Sequence, residues 1–302
     1  MKKRKQHYVW RHYLKPWSAG NKIFCLRDGK VFEPNLMGVA NERDFYRLKE
    51  LTQKDVDFIE NLAIKPSPAH LQKLHANLVR RFNSLFKLKS FVQSRGIDDP
   101  ELNERIEEDV NNLEEDLHGR IENGAIEHLS SILHGDIDFF GTDQGCIDFV
   151  YFMCVQYMRT KKIKSSVIST IKGTASIDLD KIWNVLSHIF ATNMGWSLYA
   201  DRSNLHLILL DNQSPVQFIT GDQPVINSYA TGDLTNPPQQ LEFYYPVSPT
   251  VAVLLTEKGK SGGENQRSVG PVEATVYNEH IVRNRHEQIY AASKVLLERY
   301  IH

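Results

Sequence analysis

The chain has 302 residues and a formal net charge of −1 at pH 7, with 41% hydrophobic and 24% charged residues. These values are ordinary for a globular protein and exclude a disordered chain. The near-neutral balance also excludes a whole-molecule field that attracts nucleic acid or an anionic membrane, so such binding must be local. The longest apolar run, 147–155, is interrupted by Asp148 and is shorter than the roughly 20 residues needed to cross a bilayer.

The N-terminal segment and the cysteines predict a reducing compartment. Residues 2–5 are basic, but 7–12 are aromatic and charged where a signal peptide has its apolar core. The three cysteines are an odd number and lack C-x-x-C spacing, so they predict neither a disulfide framework nor a cysteine zinc site. We therefore expect a cytoplasmic protein without membrane association.

Two local signals organise the first part of the chain. The β-like runs 22–27 and 30–33 flank Asp28-Gly29, a dipeptide that favours a type I′ turn and therefore predicts a β-hairpin. Farther along, Thr52 is followed three residues later by Asp55, the spacing of a capping box, and Pro66 ends the helix that begins there.

The middle of the chain has helical periodicity. Apolar residues three and four apart over 71–88 predict a core helix that ends at Gly96. Residues 99–123 predict an acidic helix with a narrow apolar stripe formed by Leu102, Ile106, Val110, Leu113 and Leu117. Further helices are predicted over 126–133, 147–158 and 179–190.

The last third of the chain changes to short β-like runs. Strands are predicted at 196–200, 205–210, 216–220, 241–245 and 250–255, followed by a polar loop at 259–266 and a helix at 272–297. The order of elements predicts an α+β fold with a mixed or antiparallel sheet formed by the N- and C-terminal parts. We expect a single domain over 1–302 with a helical insertion at about 52–195.

Four polar clusters lie beside apolar runs, and two of them are in the N-terminal part. Residues 7–17 combine aromatic rings with cations, as a nucleic-acid stacking platform does, and His7 is a candidate catalytic residue. The alternative is a segment whose aromatic rings pack inside while its cations stay in water. Glu42 could be a metal ligand or a general base, or simply a solvated carboxylate beside Arg43.

The other two clusters follow the helical middle. Gln156 and Arg159 are three residues apart and share a helix face, so Arg159 could bind a phosphate or carboxylate with Gln156 as a second donor. The alternative for Arg159 is stabilisation of a helix C-terminus. Asp222 follows a strand, either as a displayed catalytic carboxylate or as an Asp that bonds its own turn. Tyr245 ends a neighbouring strand and is expected to border the same space.

Several common chemistries are absent from the sequence. It contains no P-loop, no H-E-x-x-H and no G-x-S-x-G motif. His70 with His75 and His7 with His12 are five residues apart, which does not align two ligands on one helix face. The sequence therefore predicts no preformed zinc site.

These clusters, in this order, resemble a bacterial domain-of-unknown-function family, DUF4238. Its members open on His-Tyr-x-Pro-x-x-Tyr-Leu-x-x-Phe, place Gln-x-x-Arg-Thr-Pro late in a helix, and have a Thr-Ser-Asp-x-Pro-Val turn after a strand. The matching residues here are His7, Tyr8, Tyr13, Leu14, Trp17, Gln156, Arg159, Thr160, Thr220, Asp222, Pro224 and Val225. The sequence departs from the pattern at Trp10, Lys161 and Gly221. The resemblance spans nearly the whole chain and implies that the clusters belong together, but it implies no activity.

The first functional hypothesis is a hydrolase, a metal-dependent nuclease that acts on phosphodiesters of nucleic acid. His7 would be the acid or base, Arg159 would clamp the phosphate, and Asp222 with Glu42 would hold Mg²⁺ or Mn²⁺. In this hypothesis Gln156 and Tyr245 would bind the ligand beside the catalytic residues His7, Arg159 and Asp222.

Two alternatives compete with catalysis. A binding or sensor protein would form a homodimer through the helical segment 99–123, whose narrow apolar stripe is typical of a dimerising helix. That helix could instead belong to the core of the monomer. A purely structural role would pair Arg159 with Asp222 in a buried ion pair.

Overall fold

A computed structural model describes residues 1–171, 177–231, 238–260 and 262–301. The fold is α+β, with 55% helix and 15% strand. The described helices are α1 Arg11–Leu14, α2 Gln53–Ile59, α3 Ala69–Ser94, α4 Pro100–Gly124, α5 Ile126–Leu133, α6 Asp143–Met158, α7 Lys161–Ile171, α8 Leu179–Ala200, α9 Pro271–Asn284 and α10 Lys294–Glu298. The described strands are β1 Lys5–His7, β2 Phe24–Arg27, β3 Lys30–Phe32, β4 Asn41–Arg43, β5 Leu205–Asp211, β6 Thr220–Gly221, β7 Ile226–Asn227, β8 Phe243–Pro246, β9 Val251–Glu257, β10 Gln266–Ser268 and β11 Ile289–Ala291.

The two ends of the chain meet in a four-stranded antiparallel sheet with the order β3-β2-β11-β6. Cys25 of the N-terminal hairpin is opposite Tyr290, which is in turn opposite Thr220. A separate five-stranded sheet, β10-β5-β9-β8-β7, is mixed because β10 runs parallel to β5. A sheet shared by the N- and C-terminal parts, with helices between them, was the predicted arrangement and is confirmed.

The local signals in the first hundred residues act as predicted. Asp28 and Gly29 both have positive φ, 51° and 68°, in the turn of the β2–β3 hairpin. Thr52 caps α2, since its hydroxyl accepts from the Asp55 amide while the Asp55 carboxylate accepts from the Thr52 amide at 2.7 Å. Gly96, with a φ of 61°, follows the end of α3.

The core is centred on α6 and α8, which pack against each other. Phe149, Val150 and Met153 of α6 are completely buried, as is Ile189 of α8. A helix that is apolar on most sides is expected to be surrounded by other elements, and α6 is. Among the described helices, none combines the length and apolarity that a membrane crossing requires.

The strand predicted at 196–200 is wrong, because α8 continues to Ala200. Gly195, which lies between the predicted helix at 179–190 and the predicted strand at 196–200, is inside α8, where the helix passes α6. A Cβ at this position would lie 3.4 Å from the Cα of Tyr151. The glycine therefore serves a close helix approach and does not end the helix.

Two further predictions in the C-terminal part need correction. The helix predicted over 272–297 is interrupted, because Ile289–Ala291 pair with β2 and β6 as β11. Of the strand predicted at 216–220, only Thr220 is in a strand. In the polar loop predicted at 259–266, residue 261 lies outside the described residues, and Gln266 begins β10. A segment becomes a strand here only where a distant segment pairs with it, and the local sequence pattern does not contain that information.

Candidate functional site

A cleft of about 790 Å³ opens beside the N-terminal segment. Its lining is rich in cations, with imidazoles and carboxylates among them: Lys3, Arg4, Lys5, Arg11, Lys15, Arg159, His7, His12, Glu115 and Glu122. The excess of positive charge is local, since the whole chain is close to neutral. A concave surface of this kind attracts anionic ligands without a strong net charge.

Strand β1 brings Lys5 and His7 to the cleft because its side chains alternate. Gln6 is completely buried, while its neighbours Lys5 and His7 line the cleft. The Gln6 amide donates to the Asn111 carbonyl oxygen at 2.8 Å and accepts from the Tyr46 amide at 2.6 Å. One buried glutamine therefore fixes β1 against α4 and sets which side chains face the cleft.

Arg159 ends helix α6 and connects three separate segments. It is 3% exposed. Its Nε donates to the Tyr46 hydroxyl at 2.7 Å, its Nη2 donates to the His7 carbonyl oxygen at 2.6 Å, and its Nη1 pairs with Glu122. Burial of a guanidinium costs free energy because the charge loses its water. The carboxylate partner and the two neutral acceptors offset that cost.

The imidazole of His7 is poised as a neutral group. Burial lowers its pKa to about 4, and the nearby charges of Arg11 and Lys5 act in the same direction. Its Nε2 is buried and has no hydrogen-bond partner among the described residues. At neutral pH this nitrogen is therefore free to accept a proton.

The pKa of Glu115 is shifted in the opposite direction from the pKa of His7. Burial raises its pKa to about 7, and the neighbouring charge of Glu122 acts in the same direction. Its Oε2 is buried without a hydrogen-bond partner among the described residues. Burial also raises the pKa of Glu122, although the Arg159 charge opposes the shift. Two groups that border one cleft thus have pKa values moved apart by their surroundings.

Glu42, predicted as a metal ligand, lies outside this cleft. Its side chain is half exposed and pairs with the Lys161 ammonium at 2.6 Å. Glu42 is therefore a solvated surface carboxylate, which was the alternative to a metal ligand. Its partner is Lys161 and not Arg43.

Asp222, predicted as a catalytic and metal-binding residue, is completely buried. Its carboxylate accepts from the backbone amides of His286, Glu287 and Gln288 at 2.8, 2.7 and 2.9 Å. Burial raises the pKa of Asp222, and these three bonds oppose the shift. The carboxylate fixes the segment that leads into β11. It does not pair with Arg159, so the ion pair of the structural hypothesis is wrong.

The two predicted ligand-binding residues also lie away from the cleft lining. Gln156 is buried in α6, and its Nε2 has no hydrogen-bond partner among the described residues. Tyr245 is buried and stacks on Tyr13, with ring centroids 4.9 Å apart and an interplanar angle of 14°. Of the residues predicted from the sequence, the structure brings His7 and Arg159 together at the cleft.

The sequence motifs nevertheless meet in space. The Tyr13 hydroxyl lies 2.6 Å from the Thr220 hydroxyl, which joins the N-terminal motif to the turn before Asp222. The Thr160 hydroxyl bonds the Gln223 side chain and so joins the end of α6 to the same turn. With the bond from Arg159 to His7, these contacts connect the three motifs pairwise, so the motifs build the junction beside the cleft.

Sequence reasoning missed a polar row on α4. Asn111, Glu114, His118 and Glu122 are buried, at spacings of three and four that place them on one helix face. The sequence predicted that the apolar stripe alone would be the buried side of this helix. In the structure, Leu113 and Leu117 of that stripe are only half-buried. Polar residues occupy most positions of this helix, so their spacing alone did not mark one face as buried. Among the described residues, only Glu114, His118 and His188 form a group close enough to hold a metal ion.

The comparison with family models supports the resemblance seen in the sequence. The chain belongs to the family described as "Protein of unknown function (DUF4238)", whose model matches residues 5–295. No curated protein matches the chain, and no solved structure does.

Proposed function

We propose that the protein is a hydrolase that cleaves phosphodiesters, a nuclease, and that its active site is the cationic cleft. The supporting observation is that a neutral imidazole, His7, whose Nε2 has no hydrogen-bond partner among the described residues, and a carboxyl group with a raised pKa, Glu115, border one cleft rimmed by cations. Pairs of titratable groups with pKa values driven apart are typical of acid–base catalysis.

The two pKa values assign the roles. His7 is neutral above about pH 4 and accepts a proton from the attacking water molecule. Glu115 is protonated below about pH 7 and donates a proton to the departing oxygen. The proton lost at the nucleophile is thereby balanced by the proton gained at the leaving group.

The cations divide into two kinds. Arg11 is exposed and is the cation with the largest effect on His7, so it is suited to bind the scissile phosphate together with Lys5. Arg159, the phosphate clamp of the sequence hypothesis, is buried and bonded to three partners. In this proposal it is a positioning residue that fixes the backbone of His7.

The proposed Mg²⁺ or Mn²⁺ dependence has a different set of ligands from the one first predicted. Glu42 and Asp222 are engaged elsewhere, and Glu115 is the proposed acid, so Glu122 is the cleft carboxylate proposed to bind the ion together with the substrate phosphate. Magnesium in nucleotide-processing sites is commonly held by one or two carboxylates and the substrate phosphate. A cytoplasmic location also belongs to this proposal, supported by three buried free cysteines.

The test is cleavage of fluorogenic single-stranded RNA and DNA by the purified protein, in Mg²⁺, Mn²⁺ or EDTA. We expect cleavage by the native protein and a loss of about 10²–10⁴-fold in rate for His7→Asn and Glu115→Gln. His134→Asn and Glu104→Gln, both at exposed positions, are matched controls and should cleave as the native protein does. The proposal would be contradicted if the native protein cleaves neither substrate under any of these conditions, or if both cleft variants keep full activity.

The alternative of a protein that dimerises through α4 has less support. Ile106 and Val110 of its apolar stripe are buried in the monomer, and Leu102 packs against the same core. The Val110 carbonyl oxygen also accepts from the Leu48 amide at 3.0 Å. The stripe thus has partners inside its own chain, and a homodimer stays a prediction.

A further inference from the structure

A second polar group lies behind the cleft, between α4 and α8. Glu114 and His118 are one turn apart on α4, and His188 comes from α8. The Glu114 Oε1 lies 3.6 Å from the His118 Nε2 and 3.7 Å from the His188 Nε2. The potential ligand atoms of the three side chains all lie within 4.8 Å of one another.

These side chains are buried, and four of their polar atoms have no hydrogen-bond partner among the described residues. Glu114, His118 and His188 are 1%, 2% and 3% exposed. Among the described residues, no hydrogen-bond partner exists for Glu114 Oε2, for either nitrogen of His118 or for His188 Nε2. Buried polar atoms are nearly always bonded, because an unpaired one costs free energy. Four unpaired atoms at one point indicate a missing partner.

Direct hydrogen bonds within the group do not supply that partner. The separations of 3.6 and 3.7 Å exceed the usual N–H···O distance of about 2.7–3.2 Å. They are close to the spacing of about 3.4 Å between ligand atoms that metal–ligand bonds of about 2.0–2.1 Å produce at a tetrahedral ion.

We propose that Glu114, His118 and His188 bind one divalent first-row transition metal ion of the zinc or iron class. Two imidazoles and a carboxylate are the ligands of catalytic zinc sites and of non-haem iron sites. Mg²⁺ and Ca²⁺ prefer oxygen ligands, so a site with two imidazole nitrogens is unfavourable for them. The site is therefore distinct in chemistry from a magnesium site in the cationic cleft.

The contacts of His118 and His188 indicate where the proposed ion lies and which helices it joins. The His118 ring packs against the Tyr46 ring, with centroids 4.7 Å apart, and the Tyr46 hydroxyl accepts from Arg159. The ion thus lies one layer of side chains behind the cleft and holds α4 against α8. On its other side, His188 lines a separate cavity of about 210 Å³ that offers an access route.

The first experiment uses the native protein and needs no variant. Elemental analysis of protein purified without a metal-affinity tag, and of chelator-stripped protein reloaded with Zn²⁺, anaerobic Fe²⁺ or Co²⁺, gives the stoichiometry. We expect about one equivalent of ion per chain, a visible Co²⁺ absorption band and a Tm that falls on stripping and recovers on reloading. Zinc or iron retained through purification identifies the natural ion.

The second experiment assigns the ligands. His118→Asn and His188→Asn should lose the bound ion and the Co²⁺ band while remaining folded by circular dichroism. His128→Asn is the control, because His128 stacks on Phe139 outside the group and should leave binding unchanged. Absence of stoichiometric ion in the native protein after reloading, with a Tm insensitive to chelator, would overturn the site. Full retention of the ion by both ligand variants would do so as well.

Discussion

The Nη2 atom of Arg159 donates a hydrogen bond to the backbone carbonyl oxygen of His7 across 2.6 Å. The two residues are 152 positions apart in the sequence. This bond connects the end of α6 to strand β1 and fixes the backbone of the proposed catalytic imidazole. The same guanidinium neutralises Glu122 at the cleft.

Removal of this guanidinium should be costly. Arg159→Ala leaves the Glu122 carboxylate buried without its partner, and we expect the free energy of unfolding to fall by about 3–5 kcal/mol. Removal of both charges in Arg159→Ala/Glu122→Ala should cost less than the two single losses together, because they share one interaction. Urea unfolding of the three variants gives the comparison, and strictly additive losses would contradict the coupling.

The rate of the proposed reaction should depend on pH as a bell. It rises as the pH passes about 4, where His7 loses its proton, and falls above about 7, where Glu115 loses its own. The profile of kcat/KM measures both limits. Glu115→Gln should remove the alkaline limb at a much lower rate, whereas Glu104→Gln should keep both limbs. A rate that increases through pH 9 would refute the assignment of Glu115 as the acid.

Asp222 should matter for stability and not for chemistry. Asp222→Ala leaves three backbone amides without an acceptor, so we expect a loss of about 3–5 kcal/mol in the free energy of unfolding. Asp222→Asn should be nearly as damaging, since its amide group meets one of those donors. Glu42→Gln is the matched surface control, for which about 0–1 kcal/mol is expected. Equal losses for Asp222→Ala and the surface control would refute this role.

Two helical glycines should respond oppositely to alanine. A Cβ at Gly145 would lie 2.1 Å from the Phe139 carbonyl oxygen, so Gly145→Ala should destabilise by about 1–3 kcal/mol. Gly119 in α4 has no atom within 4 Å of such a Cβ, so Gly119→Ala should stabilise by about 0.5–1 kcal/mol. Thermal melts of the two variants against the native protein decide. A higher Tm for Gly145→Ala would contradict the close packing there, and a lower Tm for Gly119→Ala would contradict the open space at that position.

The candidate site was only partly visible in the sequence. His7 and Arg159 stood out because polar groups beside apolar runs are unusual, and they do meet at the cleft. Asp222 stood out for the same reason, but a carboxylate that fixes a backbone turn looks like a catalytic one until its partners are known. Glu115 and Glu122 lay in an acidic helix where carboxylates are common, so nothing local distinguished them.

The sequence by itself determined the elements whose causes are local. Asp28-Gly29 makes a turn because both residues accept positive φ, and Thr52 with Asp55 begins a helix because each caps the other. Only the tertiary structure decided that Ile289–Ala291 form a strand and that α4 buries a polar row. Those outcomes depend on segments that are far apart in the sequence, because strand pairing and burial depend on contacts that no short window of sequence contains.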